Sequence, residues 1–61
     1  MQTMKKYKVL IGDDHELILS GLKDLLSKID EVALVDAANN RMDLVKMASA
    51  KNYDIIFLDI H

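Results

Sequence analysis

Hydrophobic and polar residues alternate along the chain in five blocks with two different periods. Three short apolar runs, at residues 7–11, 32–35 and 55–58, lack helical spacing and predict β-strands. In the two intervening segments, residues 16–29 and 41–50, apolar residues recur every three or four positions, which predicts amphipathic helices. The order strand, helix, strand, helix, strand predicts right-handed crossovers and a parallel sheet of the α/β class.

Each predicted helix has one apolar face, which we expect to cover the sheet. In the first helix this face consists of Ile18, Leu22, Leu25, Leu26 and Ile29. In the second helix it consists of Leu44, Val45 and Ala48, with Met42 and Met47 at the margins. The third apolar run contains no polar residue, which is typical of a parallel strand covered on both faces.

The residues before each helix contain capping signals. Asp14 or His15 is expected to cap the first helix, because a side-chain acceptor there satisfies free backbone N–H groups. Asn39-Asn40 predicts a turn and a cap for the second helix, with Asp43 near its positive end. Both helices should therefore begin where the apolar periodicity begins.

Composition limits the chain to one small domain over residues 1–61. It has 51% hydrophobic and 30% charged residues, a net charge of −2 and no cysteine. This excludes disulfides and thiol chemistry, favours a cytosolic setting, and disfavours direct nucleic-acid binding by this segment. The apolar run after the basic N-terminus is too short for a signal peptide or a membrane span, so we expect no membrane partner.

Carboxylates follow two of the predicted strands. Asp13-Asp14 ends the first apolar run and Asp59 ends the third. Because parallel strands deliver their C-terminal ends to one edge of the sheet, the three carboxylates should form an acidic pocket. Such a pocket suits Mg²⁺, which prefers oxygen ligands, and Asp59 could then attack a phosphorus centre. The alternative is that these residues only end strands and cap a helix.

Three segments resemble the first half of the receiver domain of bacterial two-component response regulators. They are residues 9–15 (VLIGDDH), Gly21-Leu22 and residues 53–61 (YDIIFLDIH), and the likeness extends from Tyr7 onward. The Asp-Asp-His start and Gly21-Leu22 most resemble the subgroup with a helix-turn-helix DNA-binding output domain. The resemblance implies a flavodoxin-like, doubly wound fold, with strand order 2-1-3 in this half.

The resemblance also assigns roles to individual residues. Asp59 is implied to be the phosphoacceptor, receiving its phosphoryl group from a sensor histidine kinase. Asp13 and Asp14 are implied to be the acidic pair, with Asp14 as the direct Mg²⁺ ligand. His61 follows the acceptor by two residues, where the family uses the main-chain carbonyl as a further metal ligand. The chain is thus expected to be a signalling acceptor controlling transcription, and not itself an enzyme.

The family pattern continues beyond this sequence, and that leads to a second expectation. The family's later serine or threonine, its lysine and its output face have no counterpart here. Residues 55–58 should then form an exposed apolar edge, which tends to pair with another chain. The alternative function is therefore a non-catalytic half-domain that self-associates through Ile55 to Leu58.

Other chemistries fit the residues less well. Phosphohydrolases with an aspartyl nucleophile often place a second aspartate two residues later, where His61 stands. Gly12 has no companion glycines at the first strand-to-helix turn, which disfavours dinucleotide binding. A transition-metal site would need more than one histidine beside the aspartates. His15 is expected to cap the helix or face solvent.

Overall fold

A computed structural model describes residues 6–59 of the chain. The elements are β1 (Tyr7–Asp13), α1 (Glu16–Ser27), β2 (Val32–Ala38), α2 (Arg41–Ala50) and β3 (Ile55–Asp59). The three strands form one parallel sheet in the order β2-β1-β3, which confirms the predicted class and topology. Neither of the described helices is long and apolar enough to cross a membrane.

The core lies around the central strand β1. Val9, Leu10 and Ile11 are at most 1% exposed, because β1 has a strand on each side and a helix over each face. On the α1 side, Val9 and Ile11 pack with Leu19 of α1 and Val35 of β2. Burial of each such side chain contributes about 1.5–3 kcal/mol, so this small cluster dominates the stability of the fold.

The apolar face predicted for α1 is only partly the one that is buried. Leu19, outside the predicted face, is 7% exposed, and Leu26 is half-buried, whereas Ile18, Leu22, Leu25 and Ile29 are 37–64% exposed. The cause is the position of α1, which packs on β1 and β2 and makes no contact with β3. Of the exposed residues, Ile18 and Leu22 line a groove beside β3 and do not enter the core.

Helix α2 has the predicted bounds and the predicted cap. The Asn40 side chain accepts a hydrogen bond from the Asp43 N–H at 2.8 Å and donates one to the Asp43 carboxylate at 3.0 Å. Its inner face differs from the predicted one, because Leu44 and Met47 are half-buried while Val45, Ala48 and Met42 are exposed. The Asn40 cap thus defines where α2 begins. The apolar face of α2 is weak and defines the orientation of the helix less clearly.

The prediction that β3 is buried on both faces, made from its unbroken apolar run, is wrong, whereas the prediction that residues 55–58 form an exposed apolar edge is confirmed for the described residues. Its four apolar residues, Ile55 to Leu58, are 39–64% exposed. Among residues 6–59, β3 pairs only with β1, and no Cα atom of either helix lies within 8 Å of one in β3. The sheet thus ends in an apolar strand that one neighbouring strand holds in place.

Candidate acidic site at the carboxyl ends of β1 and β3

The strand register brings two of the predicted site residues together. Asp13 and Asp59 are partners in the β1–β3 ladder, at its last pair. Paired residues of neighbouring parallel strands lie on the same face of the sheet. Both residues also line a groove of about 320 Å³ between α1 and β3, whose other lining is largely apolar. Asp13 and Asp59 therefore lie on neighbouring strands at the end of a largely apolar groove.

Asp13 holds the turn from β1 into α1. Its side chain is only 3% exposed, and its Oδ1 atom accepts a hydrogen bond from the His15 N–H at 2.9 Å. His15 is the N-cap residue of α1, but the side-chain cap predicted for Asp14 or His15 is wrong, since the N-cap side chain makes no cap hydrogen bond. The carboxylate of Asp13 has a structural role as well as a place in the candidate site.

The imidazole ring of His15 lies between two carboxylates, a role that the sequence did not predict. Its Nδ1 atom is 2.8 Å from Oδ1 of Asp13 and 3.0 Å from Oδ1 of Asp14. The hydrogen bond with Asp13 is the main reason why the pKa of His15 is raised, and the charge of Asp14 raises it further. Asp59 adds a smaller increase. The ring therefore lies in a negative electrostatic potential to which all three aspartates contribute.

The donor set fits a hard divalent cation. Ligand atoms of Asp13, Asp14 and His15 all lie within 4.8 Å of one another. Mg²⁺ prefers oxygen ligands and keeps several waters, so two adjacent carboxylates and an open solvent side suit it. The His15 side chain is 60% exposed and therefore has room to turn toward solvent. His61, the fourth predicted ligand, lies outside the described residues.

A second polar cluster anchors the loop between α2 and β3. Both the Tyr53 hydroxyl and the Lys51 ammonium donate hydrogen bonds to Asp36 of β2, the latter at 3.1 Å. These hydrogen bonds, that of Tyr53 first, lower the pKa of Asp36. Partial burial and the neighbouring carboxylate raise the pKa of Tyr53 to about 12. The sequence analysis did not predict this contact, although a lone aspartate in the otherwise apolar strand β2 was a signal for it.

Comparison with known proteins identifies bacterial regulatory proteins among the relatives of this chain. The transcriptional regulatory protein YdfI of Bacillus subtilis is 37% identical over 54 residues, which are 88% of this chain and 25% of YdfI. The nitrate/nitrite response regulator protein NarL of Escherichia coli is 28% identical over 61 residues, which are 100% of this chain and 28% of NarL. No protein-family profile and no solved structure matches the chain.

A third relative has an enzyme's name. The protein-glutamate methylesterase/protein-glutamine glutaminase of Caldanaerobacter subterraneus is 35% identical over 57 residues, which are 93% of this chain and 16% of that protein. The chain spans about a quarter of the length of YdfI and NarL. The matched region is thus shared by proteins whose names indicate different activities.

Proposed function

Because the chain belongs to the response regulators and has the sequence and fold of the first half of their receiver domain, we propose that it contains the phosphoacceptor, Asp59. The observation that carries the proposal is the register pair of Asp13 and Asp59, with Asp14 beside it. Acceptor and acidic pair thereby share one edge of the sheet, with the groove open to solvent beside them.

The proposed reaction is a phosphoryl transfer to a carboxylate. An Oδ atom of Asp59 forms a bond to phosphorus while the bond from phosphorus to the donor atom breaks, and the donor keeps that electron pair. Asp13 and Asp14, with Asp59, would hold Mg²⁺, and Asp14 would bind it directly. When bound, Mg²⁺ neutralises charge on the transferred group. Without a cation, the clustered carboxylates would repel an incoming phosphoryl group.

For the intact protein, we propose a cytoplasmic location, a sensor histidine kinase as the phosphoryl donor and transcription as the regulated output. The name of YdfI, a transcriptional regulatory protein, supports that output. The new negative charge at Asp59 would bias a two-state surface elsewhere in the protein. The chain itself would act as an acceptor of the phosphoryl group and would not bind DNA.

Intact-mass spectrometry after incubation with a small-molecule phosphodonor tests the chemistry. We expect a mass gain of one phosphoryl group that requires Mg²⁺ and is lost in Asp59→Asn. Asp54→Asn removes a carboxylate at the opposite end of the same strand and should still gain the phosphoryl group. A gain that persists in Asp59→Asn, or none in a chain that circular dichroism shows to be folded, would refute the proposal.

The exposed strand β3 favours a second candidate function, self-association of the chain. Residues 6–59 contain no strand beyond β3, and its apolar side chains are largely exposed. We propose an antiparallel pairing of β3 with β3 of a second copy, centred on Phe57. This arrangement places Asp59 opposite the partner's Ile55, whereas parallel pairing in register would oppose two aspartates. The partner strand would shield backbone groups at an otherwise exposed edge.

Sedimentation equilibrium over a range of concentrations tests self-association. We expect dimers for the native chain and for Asp59→Asn, since the pairing does not use phosphorylation. Leu58→Lys, which places a charge in the paired edge, should shift the equilibrium to monomer, while Leu17→Lys should not. Leu17 is the matched control because it is 90% exposed on α1, away from β3. A folded native chain that stays monomeric at high concentration contradicts this candidate.

A further inference from the structure

The register of β3 is poorly specified by packing. Within residues 6–59 no Cα atom of either helix lies within 8 Å of one in β3, and the apolar side chains of β3 are 39–64% exposed, so packing constrains the register of the strand only weakly. Successive residues of a strand point to opposite faces, so a slip of one residue would move Asp59 to the face away from Asp13. The acidic site therefore depends on interactions other than apolar packing to fix the register between β3 and β1.

Two hydrogen bonds between Asp54 and Lys8 can fix this register at the start of β3. The Lys8 N–H donates to Oδ2 of Asp54 at 2.9 Å, and the Asp54 N–H donates to the Lys8 carbonyl oxygen at 2.8 Å. They lie directly before Val9 and Ile55, the first register pair of the β1–β3 ladder. Four residues further along each strand, the same register places Asp13 opposite Asp59.

The loop before Asp54 restricts the strand in the same sense. Tyr53 and Lys51 both donate hydrogen bonds to Asp36 of β2, the strand on the other side of β1. The start of β3 is thus tied to both other strands of the sheet. A slip of β3 by one residue would break both hydrogen bonds between Asp54 and Lys8. It would also strain the hydrogen bonds that Tyr53 and Lys51 donate to Asp36.

We propose that Asp54 is a positioning residue for the phosphoacceptor: its two hydrogen bonds to Lys8 set the β1–β3 register that places Asp59 beside Asp13. The role in phosphorylation rests on the proposed function of Asp59, whereas the role in setting the register does not. Asp54 is at the opposite end of β3 from the acidic site and acts only through the strand.

The test compares Asp54→Ala with Asp54→Asn in the whole chain. The asparagine side chain keeps an oxygen that accepts from the Lys8 N–H, and alanine has none. Nuclear Overhauser effects between the partners Val9–Ile55 and Ile11–Phe57 report the register, and the initial rate of Mg²⁺-dependent phosphorylation reports its consequence. Asp24→Ala is the control, since Asp24 is an exposed residue of α1 that pairs only with Lys28 at 3.2 Å.

We expect Asp54→Ala to lose the cross-strand signals. Its phosphorylation rate should fall at least about tenfold, because misplacing a reacting group slows the reaction by that order. Asp54→Asn and Asp24→Ala should retain both. An Asp54→Ala variant with unchanged cross-strand signals and phosphorylation rate overturns the proposal. Shifted cross-strand signals in Asp54→Asn also overturn it, and this second outcome can be read even if Asp54→Ala fails to fold. If the native chain accepts no phosphoryl group, the function of Asp59 fails, and the cross-strand signals alone still decide the role of Asp54.

Discussion

Replacement of Leu10 by alanine is expected to remove most of the stability of the fold. Leu10 is 0% exposed in the central strand, and truncating a buried leucine costs about 2–5 kcal/mol in transfer and cavity terms. At the usual stability per residue, a chain of 61 residues has roughly 3–9 kcal/mol in total. Urea unfolding followed by circular dichroism should therefore show a large fall in midpoint, or a chain already unfolded without urea.

Leu58→Ala is the matched control for this prediction. It makes the same chemical change at a position that is 64% exposed, so little is lost from the monomer. The comparison is made at low concentration, where β3 cannot pair with a second copy. Equal destabilisation by the two substitutions would show that β3 is buried in solution and would contradict its description as an uncovered strand.

Replacement of Asp14 by asparagine is expected to weaken Mg²⁺ binding by at least about tenfold. Asp14 lies 3.0 Å from the same His15 nitrogen as Asp13 but is 41% exposed, so it can turn toward a hydrated cation without breaking the turn that Asp13 holds. Backbone amide shifts of residues 12–15 during an Mg²⁺ titration give the affinity. The initial rate of phosphorylation should fall in parallel at low Mg²⁺ concentration.

Asp24→Asn supplies the control for Asp14→Asn. It removes the same charge from the outer surface of α1 and should leave the Mg²⁺ affinity nearly unchanged, because exposed charges beyond a Debye length are screened. An equal loss in both variants would mean that only net charge matters. An unchanged affinity in Asp14→Asn would exclude Asp14 as a direct ligand.

Local signals made the element order predictable from the sequence. The Asn40–Asp43 cap fixed the start of α2, and the change in hydrophobic period separated strands from helices. Strand β1 extends two residues beyond its predicted end because Gly12 continues the ladders with both neighbours and Asp13 continues the ladder with β3. Glycine disfavours strands, yet pairing of Gly12 with a strand on each side outweighs that local preference.

The orientation of α1 and the burial of β3 were not predictable in the same way. Periodicity defines an apolar stripe but not which part of it meets the sheet, and Leu19 enters the core because α1 lies over β1 and β2. An unbroken apolar run such as residues 55–58 indicates a strand suited to burial on both faces. Whether anything covers it depends on other elements, which such a run does not specify.

The predicted strand ends were enough to locate Asp13-Asp14 and Asp59 in the sequence. The hydrogen bonds around these residues could be identified only from the three-dimensional structure. Asp54 and Lys8 are 46 residues apart in sequence, and no short motif links them. The contact of His15 with both aspartates follows from the shape of the turn after β1. Long-range polar contacts of this kind, more than the apolar pattern, set the geometry at which the carboxylates meet.

The most direct test of the proposed acceptor is to locate the phosphoryl group after incubation with a phosphodonor and Mg²⁺. Borohydride converts an aspartyl phosphate to homoserine, which a peptide mass spectrum assigns to one position. We predict homoserine at position 59 alone, with Asp13 and Asp14 unmodified. Homoserine at either member of the acidic pair, or at any other aspartate in place of Asp59, would contradict the assignment of Asp59 as the acceptor.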